Sequence, residues 1–291
     1  MSQSFTADGA LAQTDNSQKI RVFVTGGGGN IGSYFARNSA QNFQITLLDR
    51  SLDKLREKGL DEFANIVEGD ICDIEFLKNA FQNHDVVLHL AGDPSPNATW
   101  SSVRDTNISG TYNTFVAAKA AGCSRVIFAS SIHAISGYPA DVQVKTSDPA
   151  NPGDLYGVSK VFGEAMARYM AIQEGISAIC IRIGAFQPVE KAMDESALSL
   201  LDGFVSERDL NHLIECAIRV QNVKFAVVHG LSESRFKRMD ITDTRELLGY
   251  APQDSFTKLN PALKALNLDE NVQSHSMADE GQKSGIREEV S

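Results

Sequence analysis

Residues 22–36, VFVTGGGGNIGSYFA, decide the fold. A short β-branched and aromatic run leads into glycines with the spacing G-x-x-G-x-x-G, and a helix-like segment follows them. Such glycines permit a tight turn and let the backbone approach a pyrophosphate, whose charge is attracted by the free N–H groups of the helix N-terminus. Because strand, turn and helix occur in the required order, the stretch predicts a dinucleotide-binding turn. The residues of this turn predicted to contact the cofactor are Gly26, Gly29, Asn30 and Ile31.

A carboxylate follows the glycines where the adenosine ribose of a dinucleotide needs a partner. The next strand-like run, QITLLD, ends in Asp49, about twenty residues past the glycines. This carboxylate can accept hydrogen bonds from the ribose diol and would repel a 2′-phosphate, which favours NAD over NADP. Arg50 beside it keeps NADP open, because an arginine can accommodate that phosphate. In GDICD, Asp70 and Ile71 fall where the adenine would lie, with a helix N-cap as the structural alternative for Asp70.

Strand-like runs alternate with helix-like segments from residue 19 to about residue 265. Several runs are almost entirely apolar, as expected when helices cover both faces of a sheet. This alternation predicts a doubly wound parallel α/β sheet, a Rossmann fold, in one domain. The seven predicted strands are IRVFVTG, QITLLD, ANIVEGD, DVVLHLAG, SRVIFASS, SAICIRIG and KFAVVHG.

The chain has 291 residues, 42% of them hydrophobic and 22% charged, which is typical of a soluble globular protein. Its net charge of -10 argues against a nucleic-acid partner, and no apolar run has the length that spans a bilayer. The N-terminus lacks the pattern of a signal peptide. Widely spaced cysteines without metal-ligand spacing indicate reduced thiols, no metal site and a cytoplasmic protein. They are Cys72, Cys123, Cys180 and Cys216.

The segment DLYGVSK carries two residues that are unusual for a helix facing a core. Tyr156 and Lys160 are four positions apart, which places both side chains on one face of a helix. Such a pair often contributes to packing alone, so it indicates a catalytic role only together with other motifs.

Six motifs together resemble the extended short-chain dehydrogenase/reductase family. They are TGGGGNIG, GDICD, LHLAG, NISGTYN, FASS and YGVSK. The likeness covers residues 19 to about 265 and implies that Tyr156 removes the proton of a substrate hydroxyl while a hydride leaves the same carbon. Free tyrosine titrates near pH ~10, and the positive charge of Lys160 one turn away, with that of the oxidised nicotinamide, would favour the phenolate.

The resemblance also implies the other site residues. The spacing within the family favours Ser131 over Ser130 as the catalytic serine, and Asn107 corresponds to the family asparagine, either in a proton relay or as a helix-kinking amide on ordered water. Lys160 would also bind the nicotinamide ribose. Further cofactor contacts are expected from Leu90, Ala91, Gly92 and Ile183.

A sharper resemblance is to uronate dehydrogenases, which oxidise the anomeric carbon of a hexuronate to an aldarolactone with NAD. It rests on FASSIHAISGYP, PGDLYGVSKVFGEAMARY, IRIGAF and FVSERDL. Those enzymes have an asparagine where Ile132 stands, a serine where Ala185 stands, and a carboxylate-binding arginine that QPVEKAMDESALSLLDG lacks, where Lys191 is the cation present. The predicted substrate-binding residues are Ser95, Ser131, Ile132, His133, Tyr156 and Ala185.

Several alternatives follow from these departures. The first expectation is oxidation of a hexuronate, and the second is oxidation of a neutral sugar or polyol. An epimerase or reductase acting on a bulkier substrate and a non-catalytic NAD sensor remain further alternatives. The resemblance also implies a homodimer through the two long helices, a core at residues 19–183 and a small substrate-binding part at 184–267. The tails at 1–18 and 268–291 are predicted to be disordered because they are polar and aperiodic.

Overall fold

Each of the seven apolar runs forms a strand in the computed structural model, which describes residues 19–236 and 238–266. The predicted tails lie outside the described residues. Two short strands, β7 and β8, join the predicted ones. The strands are β1 (Arg21–Thr25), β2 (Gln44–Asp49), β3 (Asn65–Glu68), β4 (Val86–His89), β5 (Arg125–Ser131), β6 (Ser177–Ile183), β7 (Ala185–Gln187), β8 (Phe204–Ser206) and β9 (Phe225–Gly230).

The main sheet of the described chain is parallel, with the strand order β3-β2-β1-β4-β5-β6-β9. This order confirms the predicted doubly wound α/β fold. The connection reverses direction between β1 and β4, and the carboxyl ends of strands at such a point form a crevice that binds ligands in this class of fold. The separate pair of β7 and β8 continues from the end of β6 and extends the wall of that crevice.

Most of the helices begin after a short polar residue or a glycine. They are α1 (Asn30–Ser39), α2 (Leu52–Glu57), α3 (Ile74–Ala80), α4 (Trp100–Ser102), α5 (Gly110–Ala120), α6 (Leu155–Ile172), α7 (Val189–Ala192), α8 (Glu207–Arg219), α9 (Thr242–Leu248), α10 (Phe256–Leu259) and α11 (Pro261–Lys264). The exceptions are α7 and α9, since they follow Pro188 and Ile241. A π-helical segment (Val103–Ser109) joins α4 to α5. The 3₁₀ turns are Leu60–Glu62, Ile132–Ile135 and Glu195–Leu200.

Alternate residues of each central strand enter two separate cores. In β1, Val22 and Val24 pack with α1 and α8 on one face, whereas Phe23 packs with α3, α5 and α6 on the other. Both faces are therefore buried, and this explains why the strands read as continuous apolar runs. Among the described residues, none of the helices combines the length and the apolar character that crossing a bilayer requires.

Candidate active site

Two adjoining cavities open at the carboxyl ends of the central strands. The larger is a groove of about 830 Å³ that runs from the glycine turn past the ends of β2 and β4. The smaller, of about 260 Å³, lies over the ends of β5 and β6 and over the start of α6. Leu90 and Gly92 line both cavities, so a ligand in the groove can reach a second ligand in the smaller cavity. We call them the dinucleotide groove and the substrate cavity.

The glycine turn forms one end of the dinucleotide groove. Gly26 has φ +72°, and a Cβ atom there would lie 2.8 Å from the backbone nitrogen of Ala91, so the turn requires glycine on both counts. Gly29 precedes α1 with no side chain capping the helix. The first N–H groups of this ten-residue helix are thus available to a phosphate, which fits the predicted pyrophosphate position.

Asp49 lies at the end of β2 and faces the glycine turn. Its Oδ2 accepts a hydrogen bond of 3.0 Å from the N–H of Gly28, and its Oδ1 accepts one of 2.9 Å from the N–H of Arg50. The ammonium of Lys54, in α2, is 3.2 Å from Oδ2. All three side chains, Asp49, Arg50 and Lys54, line the groove. Lys54 was not among the sequence candidates, and its only signal is its place one turn into a helix that starts beside Asp49.

Asp70 and Ile71 also line the dinucleotide groove. Asp70 accepts a hydrogen bond of 2.9 Å from the N–H of Cys72 and thereby closes the turn after β3. It is not a helix N-cap, because Asp73 caps α3 through its bond to the N–H of Phe76. Of the predicted cofactor contacts, Leu90, Ala91 and Gly92 line the groove, Ile31 and Ile183 line the substrate cavity, and Asn30 lines neither.

Helix α6 holds Tyr156 and Lys160 at the floor of the substrate cavity. Asp154 starts this helix by accepting a hydrogen bond of 2.6 Å from the N–H of Gly157, so the turn carrying Tyr156 is well anchored. Tyr156 is 8% exposed and Lys160 is 6% exposed. The Lys160 ammonium donates to the carbonyl of Ala129 at 2.9 Å and lies 5.4 Å from the centroid of the Tyr156 ring.

The pKa values of this pair show what the protein contributes by itself. Burial raises the pKa of the Tyr156 hydroxyl, and a hydrogen bond with Ser131 acts in the opposite direction. Burial also lowers the pKa of Lys160 to about 8. Without a further positive charge the tyrosine is therefore held in its neutral form, the reverse of what base catalysis requires.

The two serines at the end of β5 have different surroundings. Both line the substrate cavity, but their hydrogen-bond partners differ, and the Oγ of Ser131 accepts a bond of 3.2 Å from the N–H of His133. Ser130 donates at 2.6 Å to Glu164, which is paired with Arg182 inside the protein. The hydroxyl of Ser130 is therefore committed to a buried ion pair, and Ser131 as the catalytic serine stays a prediction.

Asn107 lies in the π-helical segment behind the substrate cavity. Its Nδ2 donates to the carbonyl of Asp93 at 3.1 Å and to the Ser159 hydroxyl at 3.0 Å, and its Oδ1 accepts from the N–H of Asp93 at 2.8 Å. Both amide hydrogens are thus used within the protein. The side chain fastens the loop after β4 to α6, next to Gly92 and Lys160.

His133 lies beside the tyrosine in the wall of the substrate cavity. Its Nδ1 is 2.6 Å from Oδ2 of Asp154, and the two aromatic rings of His133 and Tyr156 meet edge to face at 5.4 Å between centroids. Asp154 therefore fixes both the start of α6 and the orientation of His133. Asp154 was missed in the sequence, although its place two residues before Tyr156 was a usable signal.

The remaining predicted substrate residues do not line the cavity. Ile132 packs against an apolar cluster with Ile135 and Leu231, Ala185 pairs with Phe204 between β7 and β8, and Ser95 caps a turn by accepting from the N–H of Asn97. Lys191 forms an exposed ion pair with Asp194. The sequence analysis missed four lining residues, which are Pro94, Ala129, Gly184 and Phe186, and it passed over Ser130, which also lines the cavity.

The strand order, the glycine turn and the clustered Ser131, Tyr156 and Lys160 define a Rossmann-fold dehydrogenase or reductase. The chain belongs to the NAD-dependent epimerase/dehydratase family, whose model matches residues 22–187. The predicted family is thus confirmed, as are NAD as the cofactor and an NAD-dependent oxidoreductase activity.

Relatives with known names agree with this class. The chain is 33% identical to the L-arabinose 1-dehydrogenase (NAD(P)(+)) of Haloferax volcanii over 81% of this chain and 97% of that protein. It is 32% identical to the uronate dehydrogenase of Agrobacterium fabrum over 81% of this chain and 85% of that protein. A variant of the uronate dehydrogenase from Agrobacterium tumefaciens, solved with NAD, superposes with a TM-score of 0.73 at 29% identity and covers 90% of this chain and 93% of that chain.

Proposed function

We propose that the protein oxidises the anomeric carbon of a free sugar with NAD and that Tyr156 is the base. Sugar or sugar-acid oxidation with NAD is common to the named relatives, and the arabinose and uronate enzymes point to C1. In the reaction the C1–H bond breaks, its hydride passes to the oxidised cofactor, and the C1 hydroxyl proton passes to Tyr156. A cyclic aldose thereby becomes a lactone, with one NADH and one proton released.

The side chains at the cavity floor would each have a different role in the proton transfer. Ser131 and Tyr156 would both hydrogen-bond the C1 oxygen, and Lys160 would stabilise the phenolate through its charge. Bound NAD would take up the hydride, and its oxidised ring would add the positive charge that favours the phenolate of the buried Tyr156. Because the pKa of Lys160 is about 8, the lysine remains mainly protonated at neutral pH and loses this charge in more alkaline solution.

One observation favours a neutral aldose as the substrate. Among the described residues that line the substrate cavity there is no arginine, and Lys160 is the only lysine. The ammonium of Lys160 is already bonded to Ala129 beside the catalytic hydroxyl. A hexuronate carboxylate would therefore be desolvated without a cationic partner in the lining, and an unpaired charge of this kind is strongly unfavourable.

Hexuronate is the second candidate, and the structural likeness to uronate dehydrogenase favours it. The same cavity carries the His133–Asp154 pair, which can hydrogen-bond sugar hydroxyls of either substrate. The two candidates differ only at the sugar carbon that bears the carboxylate, so a comparison of matched sugars separates them.

The test is NADH formation by the purified protein with NAD and matched pairs of free sugars, such as galactose with galacturonate. Turnover of neutral aldoses with the uronates at least tenfold poorer in kcat/KM would support the neutral substrate, while the reverse ranking would establish the uronate. A Tyr156→Phe variant should lose activity on every sugar. An epimerase would give no net NADH, and a sensor would bind NAD without turnover; either result would overturn the proposal.

The homodimer implied by the family resemblance is also part of the proposal. Three large side chains on the outer faces of α5 and α6, Tyr112, Tyr169 and Ile172, are 48%, 50% and 46% exposed. Exposed apolar side chains gathered on two helices support a contact with a second copy. Light scattering after gel filtration measures the mass, and a monomer of 31.6 kDa would contradict the dimer. The cytoplasmic location, the roles of the individual site residues and the division at residue 183 stay predictions.

A further inference from the structure

The ribose end of the dinucleotide groove carries more positive charge than an NAD-specific site needs. Asp49 is already bound by the N–H of Gly28, the N–H of Arg50 and the ammonium of Lys54. A carboxylate offers about four acceptor positions, so roughly one remains for a ribose hydroxyl. The Asp49 side chain is only 12% exposed, and its charge is offset by Lys54 at 3.2 Å. The repulsion that normally excludes a 2′-phosphate is thereby weakened.

Two cations line the groove beside Asp49. Arg50 is exposed, lines the groove directly after β2 and has no ion pair within the described residues. Lys54 lines the same wall, is 48% exposed at its side chain and is free to turn from Asp49 towards an anion. Two further acids lie near this end: Glu68 accepts a long bond of 3.4 Å from the N–H of Leu52 without lining the groove, whereas Asp70 lines it.

We infer that this end of the groove binds a 2′-phosphate between Arg50 and Lys54, so that the protein takes NADP as a second cofactor. Arginine presents a planar donor fork to phosphate oxygens, and lysine adds a mobile point charge. When Lys54 turns to the phosphate, Asp49 loses one of its three hydrogen-bond donors. The N–H groups of Gly28 and Arg50 remain and still hold the carboxylate in place. The inference concerns the groove alone and does not depend on which sugar is oxidised.

Calorimetric titration with adenine nucleotide fragments tests this without turnover. The probes are 5′-ADP and 2′,5′-ADP, which differ by the phosphate in question. The variants are Arg50→Gln and Lys54→Gln, with Arg56→Gln as the matched control, because Arg56 lies on the same helix α2 and pairs at 3.8 Å with the exposed Asp53. We expect the wild-type protein to bind 2′,5′-ADP within about tenfold of 5′-ADP.

Arg50→Gln and Lys54→Gln should each lower the affinity for 2′,5′-ADP by about tenfold or more, since a charged hydrogen bond is lost. Each should leave the affinity for 5′-ADP within about twofold of the wild-type value. In Lys54→Gln, 5′-ADP and NAD should bind equally well or more tightly, because Asp49 is released. Wild-type binding of 5′-ADP with 2′,5′-ADP about a hundredfold weaker would overturn the inference. So would an equal loss of both probes in Lys54→Gln, since that marks a structural lysine. Failure of both probes to bind the wild type would refute the groove itself, separately from any result with sugars.

Discussion

Asp154 stabilises helix α6 and also orients His133 in the wall of the substrate cavity, and replacing Asp154 should separate these two contributions. One carboxylate oxygen caps the helix at 2.6 Å from the N–H of Gly157, and the other bonds His133 at 2.6 Å. Loss of such a cap costs about 1 kcal/mol, and loss of a hydrogen bond on a partly exposed pair costs about 1 kcal/mol more. Asp154→Ala should therefore lower the free energy of unfolding by about 2 kcal/mol.

Asp154→Ser is the matched variant, because serine caps a helix nearly as well as aspartate but is too short to hold His133. It should recover about 1 kcal/mol of the loss in urea unfolding, with an unchanged m-value. Both variants should raise KM for the sugar by a similar factor, roughly tenfold, since both release His133. Equal destabilisation in the two variants, or wild-type KM in both, would refute the dual role of Asp154.

Three further predictions concern the groups around the site. Ser131→Ala should lower kcat by roughly a hundredfold. Ser130→Ala should keep kcat within a few-fold of the wild type and lower the free energy of unfolding by about 1 kcal/mol, because its bond to Glu164 is lost. The reverse pattern in steady-state kinetics and urea unfolding would exchange the roles of the two serines. Gly163→Ala should destabilise the fold by about 1–3 kcal/mol in urea unfolding, because its Cβ would overlap the buried ring of Phe128, and an unchanged midpoint would contradict this packing. The buried His89 and His229 have pKa values lowered to about 3 and about 4 by burial. Below pH ~6.5 the unfolded chain therefore binds more protons than the folded protein, and the free energy of unfolding should fall by about 1.4 kcal/mol per pH unit for each histidine down to pH ~4. His89→Gln should lessen that slope. A free energy of unfolding that stays constant from pH 7 to 4.5 would show that these histidines are not buried in the neutral form.

The main sheet was predictable from the sequence because its central strands, such as β4, β5 and β6, are buried on both faces. Runs such as DVVLHLAG and SAICIRIG contain little but apolar residues, and they alternate with helical periodicity. The pair of β7 and β8 was missed because three residues leave no periodic signal. Helix α2 leaves an equally weak signal in the sequence, since LDKLRE buries only Leu55.

The candidate site was predictable where its residues belong to contiguous motifs, as in YGVSK and TGGGGNIG. It was less so where contacts join distant segments. Lys54 reaches Asp49 only because α2 folds back over the end of β2, and Asn107 reaches Ser159 only because the π-helical segment packs on α6. Ile132 adjoins Ser131 in sequence, yet the 3₁₀ turn directs it into an apolar cluster instead of the cavity.

Isotope transfer tests the central claim most directly. The preferred sugar of the panel, carrying deuterium at C1, is incubated with NAD and the protein, and the nicotinamide C4 position of the product is observed by NMR. The account predicts NADH with deuterium at C4, one lactone formed for each NADH, and neither product in Tyr156→Phe. Reduced cofactor without deuterium, or full transfer in Tyr156→Phe, would contradict hydride transfer from C1 with Tyr156 as the base.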